Sequence, residues 1–148
     1  MVDAADIVAC ARSYVGVRYG HQGRSRKILD CLGLLVGVCY DMKLRGTDGA
    51  PLHERDESGY SRLATNETML TRCAQSLIPV QTRDARPADV LVTAWARGQR
   101  HIGIVGDHPA GGLTLIHAYQ PSRKVIEQRL DEALLARALG VFRFPEVA

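Results

Sequence analysis

The first half of the chain carries hydrophobic residues at helical spacing. Residues 3–15 place apolar side chains every three or four positions and are followed by Gly16, which predicts an amphipathic helix. A loop with several glycines and basic residues covers residues 16–29, and a second helix is predicted from residue 31 to about residue 42. Both sides of this second helix are apolar, so we expect it to be enclosed at the centre of the fold.

The second half of the chain changes to short β-type runs after Pro79. A further helix is predicted over residues 66–74, capped by Thr65 or Asn66, and a short one over residues 132–137. Helices followed by closely spaced strands indicate an α+β domain with an antiparallel sheet, because parallel strands would need long crossovers. The predicted strands are residues 89–95, 101–105, 113–119, 124–128 and 141–144.

The composition is typical of a folded domain. The 148 residues are 46% hydrophobic and 24% charged without a long apolar run, so we expect one domain over residues 1–148 and no membrane insertion. The net charge of +3 is mild and mostly scattered, which does not favour nucleic-acid binding. Acidic residues at positions 3 and 6 stand where a secretory signal is basic, so we expect cytoplasmic synthesis without a signal peptide.

Cys31 carries the strongest chemical signal. The four cysteines show no paired spacing, and we expect reduced thiols rather than disulfides. Cys31 begins the second helix and follows Asp30, an N-cap that we expect to accept a hydrogen bond from Leu32 or Gly33. Because unpaired N–H groups at a helix start stabilise a thiolate, we expect the pKa of Cys31 to fall, as suits a nucleophile.

Two downstream histidines lie on strands that a hairpin would bring together. Residues 106–112 are rich in turn formers, so the strands on either side are predicted to pair. We expect Val105 to pair with Leu113. His101 then falls opposite His117, and a slip of two positions still leaves the rings diagonal neighbours on one face. In this interpretation His101 is the general base for the thiol, and His117 orients the His101 ring.

Each of these residues also has a plainer explanation. A buried cysteine is often a small hydrophobe, and a buried histidine is often a hydrogen-bonded core residue. A zinc site formed by Cys31, His101 and His117 is a further alternative, although no close ligand pair such as C-x-x-C accompanies them.

Other polar and aromatic residues carry weaker signals. The basic run of Arg24, Arg26 and Lys27 could attract a carboxylate-bearing substrate, but an ordinary solvated loop is the favoured interpretation. Three further residues are interpreted as surface or loop residues: Trp95, His53 and His108.

Five short segments are specific when they are taken together in order. They are Tyr19-Gly20, Asp30-Cys31-Leu32-Gly33-Leu34, Arg86-Pro87-Ala88-Asp89-Val90, His101-Ile102-Gly103-Ile104-Val105 and His117-Ala118. The Asp-Cys-x-Gly-Leu and His-x-Gly-Ile blocks in this order are a much stronger signal than either alone. Over residues 4–119 the chain resembles the NlpC/P60 family of bacterial cell-wall cysteine peptidases.

The resemblance implies a papain-like fold and cleavage of peptide bonds in peptidoglycan stem peptides, often between D-glutamate and diaminopimelate. It implies that Cys31 is the nucleophile, His101 the general base and His117 the third, polar member. Tyr19 would border the nucleophile and donate a second hydrogen bond to the oxyanion, or else serve as a packing aromatic. Asp30 would be a substrate-facing acid. No cofactor and no metal are implied.

Some positions depart from the usual family pattern. Leu32 stands where the family usually has serine, which leaves the cysteine chemistry unchanged but affects substrate preference, and Ala88 stands where it usually has glycine. With the stretch His21-Gln22-Gly23, the chain resembles members carried by phage tails or gene-transfer particles. This implies particle proteins as partners and delivery to the periplasm or cell wall, with His21 as a further candidate for substrate or oxyanion binding.

Two alternatives to a peptidoglycan endopeptidase stay open. One is a structural tail-assembly protein that keeps the fold and cuts nothing. The other is a papain-like amidase or acyltransferase that acts on another substrate, because a fold alone does not fix the substrate.

Overall fold

A computed structural model describes residues 1–56 and 68–147 of the chain. Within these residues the chain forms four α-helices, nine strands and several short 3₁₀ turns. The helices are α1 (Ala4–Arg12), α2 (Cys31–Asp41), α3 (Thr68–Ser76) and α4 (Glu132–Leu135). The strands are β1 (Arg18–Tyr19), β2 (Arg24–Ser25), β3 (Ile28–Leu29), β4 (Ile78–Val80), β5 (Val90–Ala94), β6 (Arg100–Asp107), β7 (Leu113–Tyr119), β8 (Lys124–Arg129) and β9 (Ala138–Arg143).

The nine strands form one sheet in the order β2-β3-β1-β8-β7-β6-β5-β9-β4. Neighbouring strands are antiparallel except β1 and β3, which pair in parallel. The predicted α+β class with an antiparallel sheet is confirmed, and within the described residues the parallel pair of β1 with β3 lies near one edge of this sheet. The strands β1, β2 and β3 lie in the segment 16–29, which was predicted as a loop. They could not be predicted as strands, because a strand of two residues is too short to show an alternating pattern.

The hydrophobic core lies on both faces of the sheet. On β6, Ile102 and Ile104 pack with residues of α1 and α2, whereas Val105 belongs to a second cluster with Leu115 and with Leu134 of α4. Successive side chains of a strand point to opposite faces, so the two clusters lie on opposite sides of the sheet. The sheet is therefore the layer that both clusters share.

The second predicted helix forms as expected but is less enclosed than expected. α2 begins at the predicted residue, and its Leu34 and Val38 are fully buried. Tyr40, on another side of α2, is 64% exposed, so the prediction of a helix enclosed all round is wrong. The cap predicted for α3 at Thr65 or Asn66 lies outside the described residues.

All four cysteines are free thiols, as predicted. Burial raises the pKa of Cys39 and of Cys73 to about 12, which keeps both thiols protonated and unreactive at neutral pH. Among residues 1–56 and 68–147 no helix has the length and apolar content needed to cross a membrane.

Candidate active site

The start of α2 is fixed by its capping residue, Asp30. The Asp30 carboxylate accepts a hydrogen bond from the backbone N–H of Gly33 at 2.8 Å, which confirms the predicted N-cap. It also accepts from the backbone N–H of Gln22 and from the guanidinium of Arg24, each at 2.8 Å. With Asp30 only 2% exposed, its position does not support the substrate-facing role that the resemblance implies.

Gly33 allows the preceding loop to approach the helix closely. A Cβ at position 33 would overlap the backbone carbonyl oxygen of Gly23, so a larger residue would push the loop away. The loop held in this way contains Tyr19 and His21. Tyr19 is partly buried and packs against the same hydrophobic cluster as Cys31, whereas His21 lies in the turn between β1 and β2. The substrate or oxyanion roles of both residues stay predictions.

The thiol of Cys31 lies beside the beginning of β6. Burial, followed by the negative charge of Asp30, raises the pKa of Cys31 to about 11. Hydrogen bonds from the backbone N–H groups of Ile102 and Leu32 to the sulfur lower this pKa, but each has a smaller effect than burial or the charge of Asp30. The predicted fall in pKa is therefore wrong, because desolvation of the thiolate outweighs the effect of the helix start. Since Ile102 directly follows His101, the sulfur lies next to the strand position that carries the predicted base.

His101 and His117 are in direct contact, through a register that differs from the prediction. Val105 pairs with Leu115 rather than with Leu113, so the hairpin is displaced by two positions. The rings are diagonal neighbours, and Nε2 of His101 lies 2.7 Å from Nδ1 of His117. The shared face is confirmed, while the directly opposed placement is wrong.

The turn between β6 and β7 explains this displacement. The backbone N–H of His108 donates to the carbonyl of Gly112 at 3.0 Å, and Gly111 and Gly112 have φ angles of 96° and 83°. Glycine favours this left-handed backbone, so the two residues complete a compact turn. The turn covers residues 108–112 and is shorter than the predicted 106–112, which lets β6 continue to Asp107.

Gly103 makes room for His117 on the neighbouring strand. A Cβ at position 103 would lie 3.0 Å from the Cβ of His117 and 2.7 Å from Cδ1 of Leu115, which is too close for an undisturbed sheet. The glycine two positions after His101 thus gives the His-x-Gly pattern a steric reason. It allows the two imidazoles to lie side by side.

Gln128 extends the contact between the histidines into a hydrogen-bonded chain. Nε2 of His117 lies 2.8 Å from the side-chain Oε1 of Gln128 on β8. An amide oxygen only accepts hydrogen bonds, so His117 carries its proton on Nε2 and accepts at Nδ1. His101 then donates from Nε2, which leaves its Nδ1 unprotonated and able to take a proton. A glutamine at the end of a predicted strand gives no signal of this role in the sequence.

Trp95 and Tyr119 enclose the two imidazoles. Trp95 meets His101 edge-on with ring centroids 5.9 Å apart, and Tyr119 stacks on His117 at 5.0 Å. Burial and the neighbouring His117 lower the pKa of His101 to about 3. Burial also lowers the pKa of His117 to about 4, although the hydrogen bond to Gln128 opposes this. Trp95 lies in the loop just after β5, which agrees with its interpretation as a surface or loop residue, but it is partly buried and packs on His101, a contact that the sequence did not indicate.

The basic run ahead of α2 is engaged in ion pairs. Arg24 pairs with Asp30 and with Asp56, each at 2.8 Å. Arg26 pairs with Asp41 at 2.8 Å. These carboxylates neutralise the two guanidiniums, which agrees with the favoured interpretation of the run as loop structure.

The remaining histidines and the zinc alternative contribute nothing further to the site. His108 lies in the turn after β6, and His53 lies in a short 3₁₀ helix (Leu52–Arg55) with its ring edge-on to Tyr40. In the part of the chain that the structure describes, no three His, Cys, Asp or Glu side chains converge to hold a metal ion. The geometry therefore does not support the zinc site.

Comparisons with known proteins agree on the fold. No family model and no curated protein matches the sequence. The NlpC/p60 domain of the peptidoglycan hydrolase SagA is similar in structure, with a TM-score of 0.65 and 22% identity over 97% of this chain and 100% of that one. An N-acetylmuramoyl-L-alanine amidase from Bacteroides uniformis ATCC 8492 matches with a TM-score of 0.60 and 15% identity, over 97% and 99% of the two chains.

A larger relative shares the fold over part of its length. An NlpC/P60 family protein from Bacillus cereus ATCC 10987 matches with a TM-score of 0.64 and 15% identity over 95% of this chain. The match covers only 40% of the length of that protein. At these identities the likeness establishes the fold alone. The chain has the papain-like α+β fold of NlpC/P60 domains.

Proposed function

We propose that this chain is a cysteine hydrolase that cleaves amide bonds in peptidoglycan stem peptides. The observation that carries the proposal is the hydrogen-bonded chain from Gln128 through His117 to His101, beside a cysteine at a helix start. This chain leaves Nδ1 of His101 as the free proton acceptor. A base held in one tautomer next to a thiol is the arrangement that nucleophilic catalysis requires.

The resting site is neutral. With the pKa of Cys31 at about 11 and that of His101 at about 3, the thiol keeps its proton and the imidazole lacks a second one at neutral pH. The proton therefore passes to His101 as the sulfur attacks the substrate carbonyl, and not beforehand. His101 acts as a general base in this step, because the imidazolium that forms is stabilised by its hydrogen bond to His117.

The remaining steps follow from the same groups. The attack forms a carbon–sulfur bond and places a negative charge on the carbonyl oxygen, near the unpaired backbone N–H of Cys31 at the start of α2. Tyr19 supplies a second donor in this proposal. His101 then gives its proton to the leaving amine as the carbon–nitrogen bond breaks. Water, deprotonated by His101, attacks the thioester, and the products are a carboxylic acid and the restored thiol.

The choice of substrate rests on the sequence resemblance and on two structural neighbours. One neighbour is described as a peptidoglycan hydrolase and the other as an N-acetylmuramoyl-L-alanine amidase. Both support a substrate in the cell wall. Within this class we propose the bond between D-glutamate and diaminopimelate, which is the finer assignment that the family resemblance implies.

Digestion of defined stem peptides tests the proposal. The wild-type protein is expected to release products that mass spectrometry identifies, and Cys31→Ala is expected to release none. Cys10→Ala serves as the matched control. It removes a thiol on α1 that is partly buried, like that of Cys31, but is not one of the proposed catalytic residues. Persistent cleavage by Cys31→Ala would contradict the proposed nucleophile, and cleavage of other amides only would favour an amidase or acyltransferase.

One observation favours a non-catalytic alternative. A protonated, desolvated Cys31 is also what a structural tail-assembly protein with an inert site would contain. Such a protein would cleave no stem peptide under any condition, while the enzyme is expected to cleave at neutral pH. The digestion therefore separates the two functions.

The association with a phage tail or gene-transfer particle is a further part of the proposal. It is supported by the His21-Gln22-Gly23 stretch and its resemblance to particle-borne members. Peptide mass spectrometry of particles purified from the source organism is expected to detect this chain. Its recovery from the free cytoplasmic fraction only would contradict particle association and delivery to the cell wall.

A further inference from the structure

Two arginines near the candidate site, Arg18 and Arg123, differ from the basic run ahead of α2 in their charge partners. Neither Arg18 nor Arg123 forms an ion pair with any residue in the described ranges 1–56 and 68–147. In contrast, Arg24 and Arg26 are neutralised by aspartates. The guanidiniums available to a ligand are therefore not those of the basic run ahead of α2.

Arg18 and Arg123 line a common cleft. The cleft has a volume of about 500 Å³ and is lined by Arg18, Tyr19, Gln120 and Arg123. Its walls are joined by the backbone, because the N–H of Tyr19 donates to the carbonyl of Arg123 at 2.9 Å. No acidic side chain lines it, so two positive charges and two neutral polar groups face the same space.

The cleft lies between the segments that carry the proposed nucleophile and the histidines. On one side, β1 pairs with β3, whose last residue precedes Asp30 and Cys31. On the other side, Gln120 directly follows Tyr119, whose ring stacks on His117. A peptide bound at the thiol therefore has this cleft beside it.

We propose that this cleft binds a free carboxylate on the residue adjoining the cleaved bond. Guanidinium groups bind carboxylates through paired N–H donors, and the side-chain amide of Gln120 can add a further hydrogen bond. The inference rests on the proposed function and deepens it, because it assigns substrate selection to Arg18 and Arg123. Amidation of that carboxylate removes the charge and weakens binding.

The experiment compares two stem peptides that differ only in this group, one with the D-glutamate α-carboxylate free and the other with it amidated. Wild-type protein is expected to cleave the free acid with a kcat/KM roughly fivefold to tenfold higher at low ionic strength, the size expected for partly exposed ion pairs. In the double variant Arg18→Gln/Arg123→Gln, kcat/KM for the acid is expected to fall to the level of the amide, mainly through KM.

Two variants with the same loss of charge serve as controls. Lys124→Gln removes an exposed cation on β8 whose backbone lies opposite that of Arg18 on β1, but which does not line the cleft. Arg83→Gln removes a cation in the short 3₁₀ helix that follows β4. Both are expected to keep the preference for the acid. Equal cleavage of both peptides by the wild type, or an equal fractional loss on both peptides in the double variant, would overturn the proposal.

Binding separates failure of this inference from failure of the proposed function. If the wild type cleaves neither peptide, titration of each peptide into isotopically labelled wild-type protein, followed by NMR, still tests the cleft. Tighter binding of the acid, lost in the double variant, would support the carboxylate subsite. Equal affinities would reject it.

Discussion

His117 donates a hydrogen bond from Nε2 to Oε1 of Gln128 at 2.8 Å, and this bond determines which nitrogen of His101 is free. The neutral amide fixes the His117 tautomer without adding charge. Gln128 is therefore a positioning residue that acts on the proposed base through His117.

Replacement of Gln128 by leucine is expected to reduce kcat by about tenfold to a hundredfold, because His117 is then free to present either nitrogen to His101. Gln128→Glu keeps the acceptor and adds a negative charge, which raises the pKa of His117 and, through it, that of His101. The acid limb of the pH profile of kcat/KM is then expected to move to higher pH. An unchanged kcat in Gln128→Leu would show that the tautomer does not depend on this bond.

Alkylation by iodoacetamide measures the protonation state of Cys31. With the pKa raised to about 11, the thiolate fraction at pH 7 is about a hundredfold lower than for an ordinary cysteine, so labelling is expected to be slow and to rise up to about pH 11. Peptide mass spectrometry distinguishes Cys31 from the other thiols, and the protein unfolded in urea supplies the reference rate. Rapid labelling of Cys31 at pH 6 would instead indicate a preformed thiolate–imidazolium pair.

The two buried imidazoles are expected to make folding stability dependent on pH. Their folded-state pKa values, about 3 for His101 and about 4 for His117, lie below the usual 6.5, so the unfolded chain binds more protons below pH 6.5. Between pH 6.5 and the folded-state pKa of each histidine, the imidazole is neutral in the folded protein and protonated in the unfolded chain. In this range each imidazole should lower the free energy of unfolding by about 1.4 kcal/mol per unit of decrease in pH.

Urea unfolding at several pH values between 7.5 and 4.5 tests this dependence. His117→Gln is expected to give a shallower decline, whereas His108→Gln, in the β6–β7 turn, should keep the wild-type slope. Identical slopes in all three proteins would mean that burial of His117 does not control this part of the profile.

Ala88 has a φ of 77°, in the left-handed region that favours glycine, at a buried position before β5. Ala88→Gly relieves about 1–2 kcal/mol of backbone strain but loses a buried methyl and gains unfolded-state entropy, so stability should stay within about 0.5 kcal/mol of wild type. Ala85→Gly, where φ is −57°, relieves no strain and should lose about 1 kcal/mol. Thermal or urea unfolding of both variants would measure the difference, and equal losses would contradict strain at position 88.

The parts of the fold that local chemistry specifies could be predicted from the sequence. The cap at Asp30 predicted the first residue of α2, and alternation predicted β7 with its observed bounds. The pairing of β6 with β7 could be predicted only to a shared face, because the register depends on how Gly111 and Gly112 close the turn.

The features that depend on tertiary packing could not be predicted in this way. The helix start at Cys31 predicted a lowered pKa, but the burial that raises it comes from neighbouring segments that no local pattern reveals. Likewise, Gln128 is separated from His117 by ten residues of chain, and only the pairing of β7 with β8 brings them together. The sequence therefore indicated which residues to consider, and the packing determined their charge states.

The protonated state of Cys31 also affects how readily its sulfur is oxidised. Peroxides and disulfides react with thiolates rather than with thiols, so a sulfur held as a thiol by burial oxidises slowly. A sulfur protected in this way would tolerate air and peroxides, and it would become reactive only while a substrate carbonyl occupies the site.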